Sequence, residues 1–234
     1  MSNKNQSLLK EIKKSGILRL ILNEPKNKNA LSKKMISKLK EAISFASSDD
    51  LVKVIIIAAN GNVYSAGHDL KEITEARFHK DDGNSYFRDL FNSCSDLMKL
   101  IVESPKPIIA EVNGVATAAG CQLVASCDLA ISSDDSRFAT PGVNIGLFCS
   151  TPMVALSRSI SKKDAMKMLL TGDMITANEA KSISLINDHV PEEELTESVM
   201  QLAQKIAQKS SMTLKIGKEA FYKQFEMNLS DAYE

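Results

Sequence analysis

Neither sign of charge is in surplus along these 234 residues: 29 basic and 29 acidic side chains cancel. A general nucleic-acid or anionic-membrane binder needs a basic excess to hold phosphates, so the balance argues against both. A small anionic ligand needs only a few local donors and stays open. Long apolar runs are missing as well, and no stretch approaches the roughly 20 residues of a membrane span. The start, MSNKNQSLLKEIKKSG, is polar and Lys-rich, carries no Arg and has no apolar run behind it. It therefore does not read as a secretory signal, and it makes a poor transit peptide. The expected compartment is reducing, most simply a cytoplasm, with the mitochondrial matrix left open.

Motif spacing is absent too. Cys94, Cys121, Cys127 and Cys149 form no close pair of the zinc or redox kind, and a chain this long needs no disulfide staples. They read as reduced, mostly buried thiols that behave as small hydrophobes. His68, His79 and His189 are scattered and have no neighbours at metal-ligand spacing, so no metal is expected. There is no G-x-x-x-x-G-K-[ST] phosphate loop, no G-x-G-x-x-G turn and no G-x-S-x-G nucleophile elbow.

What is present is an ordinary globular mixture, 44% apolar and 25% charged, with enough apolar residues for a core. Ile17 to Leu22 reads as a strand. Ser32 is placed to cap a helix running to about Ala46, with Met35, Ile36, Leu39 and Ile43 on one face. Val52 to Ala59 is a nearly continuous β-branched run, the pattern of a strand covered on both faces. Asn60-Gly61 turns the chain, and Val63 to Glu72 runs from that turn into a helix start. An amphipathic helix is expected from about Tyr86 to Val102, stopped by Ser104-Pro105-Lys106-Pro107. Ile108 to Val112 reads as a second buried strand, followed by a helix from Ala118 to Ser126. Leu129 to Ser132 and Arg137 to Ala139 read as short strands. The remainder is mainly helical, including Glu192 to Phe225 with a break near Ser210-Ser211. The fold class expected is α/β, one domain with a helical C-terminal portion.

Two stretches share one logic of strand, turn, small residues and helix: IIIAANGNVYSAGHDLKE and IIAEVNGVATAAGCQLVASCD. The first N–H groups of a helix have no acceptor within it, and the helix dipole favours negative charge there. Two such donors converging on one point make an oxyanion hole, suited to the enolate of a thioester. The small residues Ser65, Ala66, Gly67 and Ala118, Ala119, Gly120 let a carbonyl approach the backbone.

These residues resemble the enoyl-CoA hydratase/isomerase (crotonase) superfamily. SAGHDLKE at Ser65 to Glu72 matches its first signature, and NGVATAAGCQLVASCDLAIS at Asn113 to Ser132 matches the second. FATPGVNIGL at Phe138 to Leu147 is similar to the third, and LNEPKNKNAL at Leu22 to Leu31 to the N-terminal strand-turn motif. LLTGDMITANEAKSISLINDHVP (Leu169 to Pro191) keeps the family's order of helix, turn and strand. The resemblance spans about residues 16 to 230. It implies a spiral of ββα units over 16–195, after a polar leader at 1–15. A C-terminal helical segment at 196–234 is expected to be shortened, since relatives of this type continue into a further helical tail. It also implies an acyl-CoA thioester as ligand, with coenzyme A as part of the substrate and no other cofactor. The implied assembly is a homotrimer or hexamer, with no nucleic-acid or membrane partner. The implied setting is fatty acid metabolism, as a lyase or isomerase.

By the same resemblance the thioester oxygen would accept from the N–H groups of His68 and Ala119. Ala66, Gly67, Asp69, Leu70, Lys71 and Gly120 would line the channel, with Lys71 and, more weakly, Lys26 meeting a CoA phosphate. Thr140, Asn144, Cys149, Ser150 and Thr151 are neutral polar candidates around the pocket. The departures from the pattern carry equal weight. The two glutamates that hydratases of this family use fall where this chain has Gln122 and Gly142. A third place, used by some double-bond isomerases, is held by Ser150. Gln122 can orient a water but cannot take up a proton near pH 7, and Gly142 can do neither. Classical hydration is therefore doubtful, and Gln122→Glu with Gly142→Glu is expected to raise it. The remaining readings are decarboxylase-type enolate chemistry, which needs an oxyanion hole but no strong base, and a non-catalytic acyl-CoA-binding or scaffold protein.

Overall fold

The continuous apolar run at Val54–Ala59 forms strand β3, and its neighbours explain why both of its faces are apolar. A computed structural model describes residues 6–13 and 15–234. Within them β1 (Leu8–Lys13), β2 (Ile17–Leu22), β3, β5 (Ile108–Val112), β7 (Leu129–Ser133) and β10 (Asp188–Val190) form one sheet in the order β1-β2-β3-β5-β7-β10. Every pairing is parallel except the β1–β2 edge. Side chains alternate across a strand. Accordingly Ile55 and Ile57 enter the main core, together with Met35, Ile36 and Leu39 of α1 (Lys33–Ser48) and Leu97 of α3 (Asn84–Glu103). Val54 and Ile56 face the other way, onto Leu195, Val199 and Ala203 of α8 (Glu192–Ala207). A strand covered on both faces has no solvent side, so no polar residue interrupts it.

A second sheet, β4 (Val63–Ser65), β6 (Val115–Thr117), β8 (Arg137–Ala139) and β9 (Ile175–Thr176), lies in the order β4-β6-β8-β9. Each coil of the chain places one strand in the first sheet, turns, and places the next in the second: β3 then β4, β5 then β6, β7 then β8. Helices α2 (Leu70–Ala76) and α3 follow the first coil, and α4 (Ala119–Ser126) follows the second. The turns stack. A Cβ on Gly114, at φ 75°, would lie 2.0 Å from the Asn62 carbonyl oxygen, so only glycine lets the second corner rest on the first. The expected ββα spiral is what the strand order describes. Helices α5 (Ser150–Ser159), α6 (Lys162–Thr171), α7 (Ala177–Ser182) and α8 complete the body, and α9 (Ser211–Phe225) and α10 (Leu229–Tyr233) end the chain. The break expected near Ser210-Ser211 separates α8 from α9, where Ser210 caps the new helix by accepting from the Thr213 N–H.

The segment read as a polar leader is divided. Residues 1–5 and 14 lie outside the described residues, while Leu8–Lys13 forms an edge strand in register with β2 and buries Leu8. Its alternation was masked by the lysines at the exposed edge, a usual feature of edge strands. One carboxylate sits inside the fold, Glu111 on β5. Arg19 of β2 donates to it twice, at 2.9 and 2.6 Å, and Thr196 of α8 donates at 2.8 Å. Charge that is paired and fully hydrogen-bonded is the form in which it tolerates burial.

Candidate active site

The two small-residue stretches meet backbone to backbone. Gly67 has φ 90°, and a Cβ there would lie 2.9 Å from Ala118 Cβ and 3.1 Å from the Ala119 nitrogen. A Cβ on Gly120 would lie 2.2 Å from the Ser65 carbonyl oxygen. Both glycines are required by contact, and through them the 65–68 turn rests on the first turn of α4. Thr117 Oγ1 donates to the Ala66 carbonyl at 3.2 Å, fixing the same junction from the side.

Ala119 is the first residue of α4, so its N–H has no acceptor within the helix. Ala118 before it holds φ 49° and ψ −120°, a conformation that costs a residue with a Cβ about 1–3 kcal/mol. His68 stands differently. Helix α2 begins at Leu70 and Asp69 is its cap, so the His68 N–H belongs to the turn ahead of the helix and is aimed by Gly67. Neither the His68 nor the Ala119 N–H donates to a protein acceptor among the described residues.

The loop 24–31 grips this turn along its length. The Ala66 N–H donates to the Lys28 carbonyl at 3.0 Å, and the Leu31 N–H donates to the Gly67 carbonyl at 2.7 Å. His68 Nδ1 lies 3.2 Å from the Leu31 carbonyl, and Asn27 Nδ2 donates to Asp69 Oδ2 at 3.4 Å. A carbonyl only accepts, so Nδ1 carries the imidazole proton and Nε2 is left as a lone pair, enclosed and without a partner among the described residues. Burial pulls the His68 pKa below its ordinary value, partly offset by the Leu31 carbonyl and by Glu72. The ring is therefore neutral near pH 7.

Around the start of α4 the side chains are uncharged. Gln122 is 3% exposed and Thr140 is fully buried, and among the described residues neither Gln122 Oε1 nor Thr140 Oγ1 has a hydrogen-bond partner. Gly142 lies in a short 3-10 turn, Pro141–Ile145, against the Leu147 carbonyl and Cys149 Sγ. Burial pushes the Cys121 thiol up to about 12 and also raises Cys149, so neither is a ready nucleophile. A cavity of about 1130 Å³ opens beside Gln122, lined by apolar side chains such as Met98 and Val154 and by charged ones, among them Glu103, Asp128, Lys218 and Glu226.

The other residues singled out in the sequence take varied places. Lys26 and Lys71 are exposed on either side of the Asn27–Asp69 contact, on one edge of the site, and Leu70 beside them is 62% exposed. Asp69 is committed to capping, accepting from the Lys71 N–H at 2.9 Å. Ser150 is exposed and donates to the Phe148 carbonyl, whereas its neighbour Thr151 faces the cavity. Among the described residues no group of three or more His, Cys, Asp or Glu could hold a metal. Sequence reasoning missed Asn29, whose left-handed backbone and buried amide are visible only once the loop is folded. It also missed the contact of α9 with the body. There Lys218 Nζ donates to Asp128 Oδ2 at 2.7 Å and to the carbonyls of Ile101 and Lys106. Tyr222 donates to Asp128 Oδ1 at 3.0 Å.

The chain is similar to known proteins in sequence and in fold. A family model described as enoyl-CoA hydratase/isomerase matches residues 12–234. The mitochondrial enoyl-CoA hydratase domain-containing protein 3 of Xenopus laevis is 52% identical over 219 residues, covering 94% of this chain and 73% of that protein. The solved structure of human enoyl Coenzyme A hydratase domain-containing protein 3 superposes with a TM-score of 0.91 at 46% identity, covering 97% of this chain and 88% of that one. An enoyl-CoA hydratase structure from Mycobacterium smegmatis gives a TM-score of 0.93 at 42% identity, over 98% of this chain and 87% of that one.

Proposed function

The chain belongs to the enoyl-CoA hydratase/isomerase (crotonase) family, and on that premise we propose that it binds an acyl-CoA thioester whose carbonyl oxygen accepts from the His68 and Ala119 N–H groups. One observation carries the reading: the 65–68 turn is seated on the first turn of α4, with both amides free of protein acceptors. Each such donor typically contributes about 3–4 kcal/mol once negative charge develops on the oxygen.

The acyl portion enters the cavity beside Gln122, and the CoA phosphates lie along the edge that carries Lys26 and Lys71. Gln122, Thr140 and neutral His68 orient the ligand. None of them is a carboxylate, so proton transfer to carbon or from water lacks its usual agent. Acid–base groups typically supply about 10²–10⁴ in rate each. Crotonyl-CoA should accordingly bind and be hydrated slowly or not at all. Brisk hydration by the purified protein at neutral pH would overturn this account of the site. Failure of crotonyl-CoA to bind more tightly than free CoA would overturn the thioester reading itself.

A second reading is favoured by the uncharged surroundings of Ala119: decarboxylation of a malonyl-type thioester. Departing carbon dioxide leaves the enolate behind without a base, and no carboxylate on α4 repels the substrate's own. A screen of malonyl-type thioesters, followed for binding and for product, separates this reading from a non-catalytic acyl-CoA-binding or scaffold role. Apolar side chains at Ile145, Leu147, Phe148 and Leu170 are exposed on the 3-10 turn, the loop after it and α6, which supports assembly into trimers. No helix among the described residues is long and apolar enough to cross a membrane. The cytoplasmic compartment expected from composition gains no support from the Xenopus relative, whose name is mitochondrial, and a mitochondrial matrix is the better proposal.

A further inference from the structure

Asn29 is a fully buried polar residue in a loop, held at φ 48°, outside the conformations ordinary side chains prefer. Its carboxamide is fully used. Oδ1 accepts from the Glu24 N–H at 2.8 Å, which closes the loop's own start. Nδ2 donates to the carbonyls of Asn60, at 2.9 Å, and Val63, at 2.7 Å, which flank the turn between β3 and β4. The side chain thus ties three backbone segments together at one point.

What the tied loop then touches is the 66–69 turn, residue by residue. Lys28 holds Ala66, Leu31 holds Gly67 through its N–H and His68 through its carbonyl, and Asn27 holds Asp69. Of the three holding residues, Asn27 and Leu31 are two positions from Asn29 and Lys28 is adjacent to it. No side chain reaches the His68 N–H directly, so its direction is set by the backbone on either side of it.

We infer that Asn29 is a positioning residue for the His68 amide. It fixes the loop 24–31 against the β3–β4 turn, and the loop in turn fixes the angle at which that amide meets the thioester oxygen. The inference rests on the acyl-CoA reading above. A hydrogen-bond donor displaced by a fraction of an ångström keeps the ligand bound while losing much of its effect on the carbonyl.

The test uses the full chain with butyryl-CoA labelled with carbon-13 at the thioester carbonyl. Infrared difference spectra report the carbonyl stretch, which falls in frequency as the oxygen accepts hydrogen bonds, and calorimetry reports affinity for the thioester and for free CoA. Asn29→Gly keeps the left-handed backbone and removes only the carboxamide. Asn29→Asp keeps the acceptor for Glu24 and removes both donors.

Both variants should lose at least half of the wild-type frequency shift and roughly tenfold of the preference for thioester over free CoA, while affinity for free CoA stays within about twofold. A merely structural role would lower thermal stability without moving the carbonyl stretch of the folded fraction. An unchanged shift in either folded variant overturns the inference. Absence of any shift in the wild-type protein overturns the acyl-CoA reading instead, which keeps the two failures apart. Hydrogen exchange of the unaltered protein needs no variant: the Leu31 and Ala66 amides should be protected by more than about a hundredfold. Exchange of these two at the rate of free loops would also overturn it.

Discussion

Cys149 Sγ occupies the space beside Gly142: a Cβ there would lie 2.8 Å from the sulfur and 2.7 Å from the Leu147 carbonyl oxygen. The family resemblance gives position 142 to a hydratase's second glutamate, and here the Leu147 carbonyl and Cys149 Sγ crowd that position. Simple replacement therefore does not restore the missing acid.

The Gln122→Glu, Gly142→Glu double variant should gain no hydration of crotonyl-CoA, the reverse of what residue identity alone suggests. It should also lose about 1–3 kcal/mol of stability from overpacking at 142. Adding Cys149→Gly relieves the sulfur but leaves the Leu147 carbonyl. Crotonyl-CoA turnover and thermal melts check this, and strong turnover by the double variant would show that the wall yields.

Ala118 stores strain at the start of α4. Ala118→Gly should raise stability by about 1 kcal/mol, the relief of strain less the added flexibility of glycine. Ala118→Val should lower it by more. Denaturant titration of the two variants measures both signs, and a destabilised Ala118→Gly would contradict the strained backbone.

His68 predicts a pH dependence with a definite sign. Its folded pKa lies below the ordinary value of about 6.5 because the ring is desolvated. The unfolded chain thus binds the proton first as pH falls. The contribution to stability is complete above about 6.5 and is lost as pH drops through the folded value beneath it. Between pH 7.5 and 5.5 the wild-type melting temperature should fall further than that of His68→Asn, which has no proton to gain. Parallel curves would remove His68 from the explanation.

Lys218 anchors α9 through a half-enclosed ion pair with Asp128, its side chain 9% exposed. Lys218→Met leaves that carboxylate with only the Tyr222 hydroxyl and the Ile108 N–H. The cost should be about 3 kcal/mol, concentrated on α9. Limited proteolysis should cut earlier between α8 and α9, around 208–211, while the body stays resistant. Unchanged cleavage would show that apolar contacts alone hold the helix.

The strands and helices that the sequence foretold are those whose pattern is local. β3 announces itself because burial on two faces leaves no polar residue in it, β5 because its run is apolar apart from the paired Glu111, and α1 and α3 because their apolar stripes repeat with the helix period. β1 went unread since an edge strand alternates with lysine and buries little. β4, β6 and β9 went unread, being two or three residues long and flanked by turns and small residues, while the equally short β8 was read. Of the site, the small residues at 65–67 and 118–120 were visible as a requirement for close approach, while Gln122 and Gly142 stood out only against the family's pattern.

Residue order by itself determined the α/β class, the two small-residue turns and the uncharged residues Gln122, Gly142 and Ser150, because each depends on what a residue is and on its immediate neighbours, while the spiral followed from the family resemblance. Only the tertiary structure decided that Asn29 binds three segments, that Thr151 and not Ser150 faces the cavity, and that Cys149 fills the room at Gly142. Those facts are distances between parts of the chain far apart in sequence. No local pattern encodes them, since packing alone sets which distant side chain arrives at a given point.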